Sequence, residues 1–131
     1  MSDSFIVKSS IKNYEVVFID SLVSTLNKTY RVGDCIIIDE ILPTLNPKIK
    51  KLLQCKKFIA IEALEQTKSY EGVIPVIDEL IKSGFKRNNR IIAIGGGITQ
   101  DVSAFIASIL YRGVGWIFFP TTLLGQGDSC I

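Results

Sequence analysis

The run Ile91-Ile92-Ala93-Ile94 passes straight into Gly95-Gly96-Gly97, and an apolar stripe of helical spacing follows. Val102, Phe105, Ile106, Ile109 and Leu110 recur at i, i+3, i+4, i+7 and i+8, which predicts an amphipathic helix with that stripe facing a sheet. Thr99 is placed to cap it, and Asp101 to sit in its first turn, where a negative charge is favoured. A strand, a glycine turn and a helix in such close succession form one unit of a parallel α/β sheet. Glycines put no Cβ in the turn, so bare backbone can approach a ligand. The N–H groups at the helix start face that ligand, and the dipole favours an anion. The turn is either a tight connection only or a cradle for a phosphate or pyrophosphate. It is not the Gly-x-Gly-x-x-Gly fingerprint, because Trp116-Ile117-Phe118-Phe119 stands where that pattern wants an acid.

Three more strand-like runs accompany Ile91–Ile94: Cys35–Ile38, Phe58–Ile61 and Trp116–Phe119. Phe58–Ile61 reads as buried on both faces, and Trp116 as core. Each run is followed by residues suited to a nucleotide: Asp39, then Glu65 with Lys68, then the glycines, then Thr121-Thr122. Ligands of open α/β sheets bind outside the carboxyl ends of the strands, so one crevice would gather all of these groups. Ahead of them, residues 5–9 and 14–19 read as a hairpin around Lys12-Asn13, and Asp20-Ser21 caps a short helix to about Asn27. Residues 44–54 read as one helix, with Pro43 and Pro47 confining its start. Val73, Ile77, Leu80 and Ile81 mark another helix, ended by Gly84, with Pro75 in its first turn or kinking it. The predicted fold class is α/β: a Rossmann-like parallel sheet flanked by helices, with an N-terminal β-hairpin, in a single domain over residues 1–131.

Several classes are disfavoured. The formal net charge of +2 points to no particular partner. Lys48, Lys50, Lys51, Lys56 and Lys57 lack interleaved aromatics, so they read as a solvated helix face and its exit rather than a nucleic-acid patch. No apolar run approaches the roughly 18–20 residues that span a bilayer, and no signal-peptide pattern opens the chain. The odd, widely spaced Cys35, Cys55 and Cys130 suit reduced thiols in a cytoplasm. The chain contains no histidine, the commonest zinc ligand, so by itself it is expected to hold no zinc.

Gly95-Gly-Gly-Ile-Thr-Gln-Asp101, Tyr111-Arg112-Gly113, Pro120-Thr-Thr-Leu-Leu124 and Asp128-Ser129, with Glu65-x-x-Lys68 upstream, follow one another in a set order. Together they resemble the 3-dehydroquinate synthase family, within the wider group of sugar phosphate cyclases. Ile41 stands where that family often has Asn, and Gln100 where it commonly has Gly. The resemblance implies a truncated cofactor domain that binds NAD. Asp39 would bond a ribose hydroxyl, although it can equally cap the next helix. Glu65 and Lys68 would lie on the adenosine side, although they also suit a surface i,i+3 pair. Gly95, Gly96 and Gly97 would meet the pyrophosphate. Asp101 would face the nicotinamide or a ribose, and Thr121 and Thr122 would bond the cofactor or cap a helix. Arg112 and Asp128 would touch the sugar phosphate substrate.

The family's reaction is a phosphate-eliminating cyclisation of a seven-carbon keto sugar phosphate in the shikimate route, with NAD oxidising and re-reducing one hydroxyl. A divalent metal, zinc or cobalt, polarises the oxidised centre. The family's metal ligands and substrate lysines follow the last motif here. The chain is therefore expected to be the front part of a longer, homodimeric, cytoplasmic enzyme, and inactive alone. Two alternatives stay open. One is another cyclase, making a valiolone-type or aminocyclitol precursor, although Ser129 after Asp128 favours dehydroquinate synthase. The other is a nucleotide-binding module without catalysis.

Overall fold

The computed structural model describes residues 3–10 and 12–121. Strands β1 (Ser4–Val7) and β2 (Tyr14–Val17) pair antiparallel, with Ser4 opposite Val17, as a sheet of their own. Helix α1 (Leu22–Thr29) follows, and Ser21 caps it by accepting from the Ser24 amide at 3.2 Å. Strands β3 (Cys35–Asp39), β4 (Phe58–Ile61), β5 (Arg90–Gly95) and β6 (Gly115–Pro120) form one parallel sheet in the order β4-β3-β5-β6. The hairpin and the Rossmann-like sheet are those the sequence predicts. Among the described residues, no helix is long and apolar enough to cross a membrane.

Alternation along β3 and β5 divides the core into two layers, because successive side chains leave a strand on opposite faces. Cys35, Ile37 and Ile91 pack with α4 (Tyr70–Lys82) and α5 (Gly97–Ile109) through Val73, Val76, Leu80, Val102 and Ile106. Ile36, Ile38, Ile92 and Ile94 pack on the other side with Leu26 of α1 and with Ile49, Leu52 and Leu53 of α3 (Pro47–Leu53). Each central isoleucine is wholly buried. Helix α4 ends as predicted: Gly84 takes φ +84°, and the Phe85 amide reaches back to the Leu80 carbonyl at 3.2 Å.

Several expectations change. The helix expected over 44–54 is two, α2 (Ile41–Leu45) and α3, because Pro43 is accommodated inside the first while Pro47 opens the second. Pro75 lies inside α4, beyond its first turn. Strand β4 alternates exposed and buried, since it is an edge strand and, among the described residues, no helix covers Phe58 and Ala60. Trp116 is 38% exposed on the other edge strand, stacked on Phe118 at 6.3 Å between ring centroids. In α5 the residues that face the sheet are Thr99, Val102, Ser103, Ile106 and Ala107, whereas Phe105 and Ile109 lie out on the flank. Thr99 therefore sits within the helix and does not cap it, and Asp101 lies past the first turn.

Burial has a chemical consequence at Cys35. Its thiol pKa is pushed up to about 12, first by burial and then by the negative charge of Glu79, with Lys57 opposing. The unfolded chain ionises this thiol near 9, so the stabilisation is complete below that pH and is lost as pH rises towards 12. We expect the stability advantage of the wild type over Cys35→Ala to shrink by about 1.4 kcal/mol per pH unit in that window. Urea titrations at pH 8 and pH 10.5 measure it; a difference independent of pH would contradict this account.

Candidate functional site

The sheet order sets the position of the site. From β3 the chain leaves towards α2, α3 and β4 on one side, then returns over β3 to lay β5 on the other. The segments leaving β3 and β5 pass to opposite faces, which opens a crevice at the carboxyl ends of these two strands. The register places specific residues at its rim. Ile38 pairs with Ile94 at the last shared rung, so Asp39 and Gly95 are the residues that follow it at the carboxyl ends of β3 and β5. Gly95 pairs in turn with Pro120, and the Thr121 amide donates to the Gly95 carbonyl at 2.8 Å.

Gly95 ends β5, Gly96 is the N-cap of α5 and Gly97 is its first residue. The caps of α1, α3 and α4 are Ser21, Asn46 and Ser69, each accepting a first-turn amide; Gly96 offers no side chain to do so. The first intrahelical bond runs from the Gln100 amide to the Gly96 carbonyl at 3.0 Å. The amides of Gly97, Ile98 and Thr99 precede it and have no acceptor within the helix. An anion at the rim would supply one.

The glycines differ in what surrounds them. A Cβ on Gly95 would collide with the Thr99 side chain, 2.7 Å from its Cβ, whereas one on Gly97 would meet nothing within 4 Å. Gly95 is thus required by packing, while the open space at Gly97 faces outward. Thr99, which the sequence offered only as a cap, is wholly buried against Gly95, and its Oγ1 has no hydrogen-bond partner. A buried hydroxyl without a partner costs about 1–3 kcal/mol. It fits a site whose remaining acceptor arrives with a ligand. Only the packing of the turn reveals this; nothing in residue spacing does.

Around this turn the structure assembles some of the expected residues. Asp39 is half-buried and accepts from the Ile41 amide at 3.1 Å, so it does cap the turn after β3. Glu65 and Lys68 form a 3₁₀ turn after β4, 3.8 Å apart as an ion pair. Lys68 also bonds Asp101 at 2.8 Å, tying that turn to α5. The hydrogen bond that Lys68 donates to Asp101, then the charges of Asp101 and Glu65, push the Lys68 pKa above its ordinary value, so the amine stays charged. An open groove of about 450 Å³ runs beside this pair, lined by Tyr70, Val73, Val102 and Phe105 among others. Thr121 is exposed at the end of β6.

Arg112 does not join them. It is exposed at the opposite end of α5, about 20 Å along the helix axis from the glycines. Tyr111 and Arg112 both adopt positive φ, +50° and +66°, and the Tyr111 hydroxyl donates to the Phe85 carbonyl at 3.0 Å. Thr122 and Asp128 lie outside the described residues. Among the described residues no group of three or more His, Cys, Asp or Glu could hold a metal ion.

The family pattern for the 3-dehydroquinate synthase N-terminal region matches residues 58–131, more than half of the chain. The chain belongs to the 3-dehydroquinate synthase family. It is 33% identical over 138 residues to the 3-dehydroquinate synthase of Streptococcus equi subsp. equi (strain 4047), a match covering 100% of the chain and 38% of that protein. Identity to the 3-dehydroquinate synthase of Saccharolobus solfataricus (strain ATCC 35092 / DSM 1617 / JCM 11322 / P2) is 43% over 84 residues, or 64% of the chain and 24% of that relative. The chain thus spans well under half the length of these 3-dehydroquinate synthases.

Among solved structures, 2-deoxy-scyllo-inosose synthase in complex with carbaglucose-6-phosphate, NAD+ and Co2+ superposes with a TM-score of 0.79 at 20% identity. That match covers 97% of this chain and 38% of the neighbour. At this identity the likeness establishes that the two share a fold.

Proposed function

We propose that this chain is the NAD-holding part of a 3-dehydroquinate synthase, acting on 3-deoxy-D-arabino-heptulosonate 7-phosphate to give 3-dehydroquinate and phosphate. The observation that carries the reading is the side-chain-free start of α5 at the switch point between β3 and β5. Pyrophosphate suits the first-turn amides there, and Thr99 Oγ1 lies beside them without a partner. Asp39, at the end of β3 and beyond its last rung with β5, is proposed to accept from a ribose hydroxyl. Lys68, held by Asp101 and Glu65, gives the adenosine side a fixed cation, Thr121 borders the crevice at the end of β6, and Thr122, the next residue in sequence, is proposed as a further cofactor contact. Bound NAD supplies a reversible hydride acceptor; the protein supplies orientation and an anion-favouring field.

Arg112 and Asp128 are proposed as substrate contacts, Arg112 because its planar, permanently charged fork suits a phosphate. It is exposed at the far end of α5, so in this reading the substrate that it contacts lies away from the glycine turn. The divalent metal is assigned to polypeptide other than this chain, as is the chemistry that it supports. The choice of 3-dehydroquinate synthase over another sugar phosphate cyclase is favoured by 33% identity to the first against 20% to the inosose synthase.

Calorimetric titration tests the reading. NAD+ is expected to bind the folded chain saturably at one site, more weakly than it binds a full-length relative. Phosphate release from the heptulosonate phosphate should stay at background with NAD+ and zinc present. A folded sample that takes up no NAD+ would remove the cofactor assignment; turnover abolished by Arg112→Ala would remove the division of labour.

A further inference from the structure

The chain reverses between α5 and β6 with residues ill suited to a turn that does nothing else. Leu110–Arg112 forms a 3₁₀ turn in which Tyr111 takes φ +50° and ψ +34° and Arg112 takes φ +66°, both left-handed. Gly113 follows at φ +110°. Left-handed backbone crowds the Cβ of any residue but glycine, so two bulky residues in succession are costly there. Glycine or asparagine would close the same turn with less strain. Such strain persists only where the surroundings over-determine it, and it collects where side chains are put to use.

Three bonds hold the turn. The Gly113 amide donates to the Leu110 carbonyl and the Val114 amide to the Ala107 carbonyl, each at 2.8 Å. The third comes from a side chain: the Tyr111 hydroxyl donates to the Phe85 carbonyl at 3.0 Å, across 26 residues of sequence. That carbonyl is itself fixed, because Phe85 is 3% exposed and its amide reaches the Leu80 carbonyl at the end of α4. Tyr111 thus spends its polar group on tying the turn to α4. Arg112 beside it is exposed and makes no hydrogen bond or ion pair among the described residues.

We propose that Tyr111 is a positioning residue for the substrate anion: its bond to Phe85 locks the left-handed turn, so that Arg112 leaves the backbone in one fixed direction. The proposal rests on the reading of Arg112 as a substrate contact. A guanidinium fork meets a phosphate or carboxylate through two parallel N–H groups, which demands a defined orientation. A loose turn would spread that orientation, and binding would then have to order the turn as well. The tether acts equally on bound substrate and on the transition state, so its loss should appear in KM rather than in kcat.

Steady-state kinetics of the complete synthase that contains this chain test the proposal, with 3-deoxy-D-arabino-heptulosonate 7-phosphate as the varied substrate. Tyr111→Phe removes only the hydroxyl. It is expected to raise KM about 3–10-fold, the size of one net hydrogen bond, with kcat within about 2-fold of wild type. NAD+ affinity and the thermal midpoint should stay near wild type. Arg112→Ala should raise KM further, and adding Tyr111→Phe to it should change nothing more, because Tyr111 acts through Arg112. In the chain alone, amide-nitrogen relaxation at Arg112 and Gly113 should show a looser turn in Tyr111→Phe. An unchanged KM in Tyr111→Phe beside a raised KM in Arg112→Ala overturns the proposal and leaves the reading of Arg112 intact, and so do effects of the two substitutions that multiply. A KM untouched by Arg112→Ala removes that reading, and the proposal with it.

Discussion

Gly97→Val should leave the thermal midpoint of the chain within a few degrees of wild type while weakening NAD+ binding at least about 100-fold. The reason lies in what a side chain at this position meets. In the free protein a Cβ on Gly97 has nothing within 4 Å, and the residue opens a helix where ordinary side chains are tolerated. With a pyrophosphate against the first-turn amides, the same branched side chain occupies the path of the ligand. Gly95→Val provides the contrast: its side chain collides with Thr99 in the free protein, so stability and binding fall together. Calorimetry and thermal unfolding on both variants separate the two roles. Unimpaired NAD+ binding by Gly97→Val would move the anion site away from α5.

The second large effect is expected far from the crevice. Asp34 is 2% exposed and accepts four hydrogen bonds, from the Arg31 amide at 2.9 Å and from Arg90 through its amide at 3.2 Å, Nε at 3.3 Å and Nη2 at 2.6 Å. The same Nη2 also donates to the Thr29 carbonyl at 2.7 Å, so one ion pair fastens the end of α1 to the start of β5. Asp34→Ala leaves the guanidinium and two amides without their acceptor. Breaking a buried pair from one side costs about 3–5 kcal/mol, which for a domain of this size lowers the thermal midpoint by roughly 10–20 °C. A fall of less than 3 °C would show that water or a neighbouring group takes over the acceptor's place.

The sequence reveals the parallel sheet because its evidence is local. Ile91–Ile94 before three glycines, and the recurring strand-like runs, fix strand, turn and helix within short windows. The same windows mislead where the outcome depends on distant chain. Trp116 and Phe58 are apolar but lie on edge strands, and no local pattern tells an edge from a centre. Phe105 and Ile109 match the helical period as well as Ile106 does, yet they lie on the flank, because the buried arc of α5 is centred on the small residues Thr99, Ser103 and Ala107 with Val102 and Ile106. Asp34 and Arg90 are 56 residues apart, a pairing that spacing cannot suggest. At the site, the glycines and Asp39 were legible from strand ends, whereas the buried hydroxyl of Thr99 emerged only from the packing of the turn.

The position of β5 also bears on how the chain acquires its binding crevice in time. β3 meets β4 across a loop of about twenty residues, but its other neighbour, β5, lies more than fifty residues away, with Ile36 beside Ile92. Closing the longer loop costs more chain entropy and slows the pairing. A nascent polypeptide can complete the β3–β4 pair while β5 is still being synthesised, yet the rim joining Asp39 to Gly95 does not exist until β5 docks on the far side. Nucleotide cannot template that step, because its cradle is a product of the docking. It can only retain what has formed, so added NAD+ should slow unfolding far more than it speeds refolding.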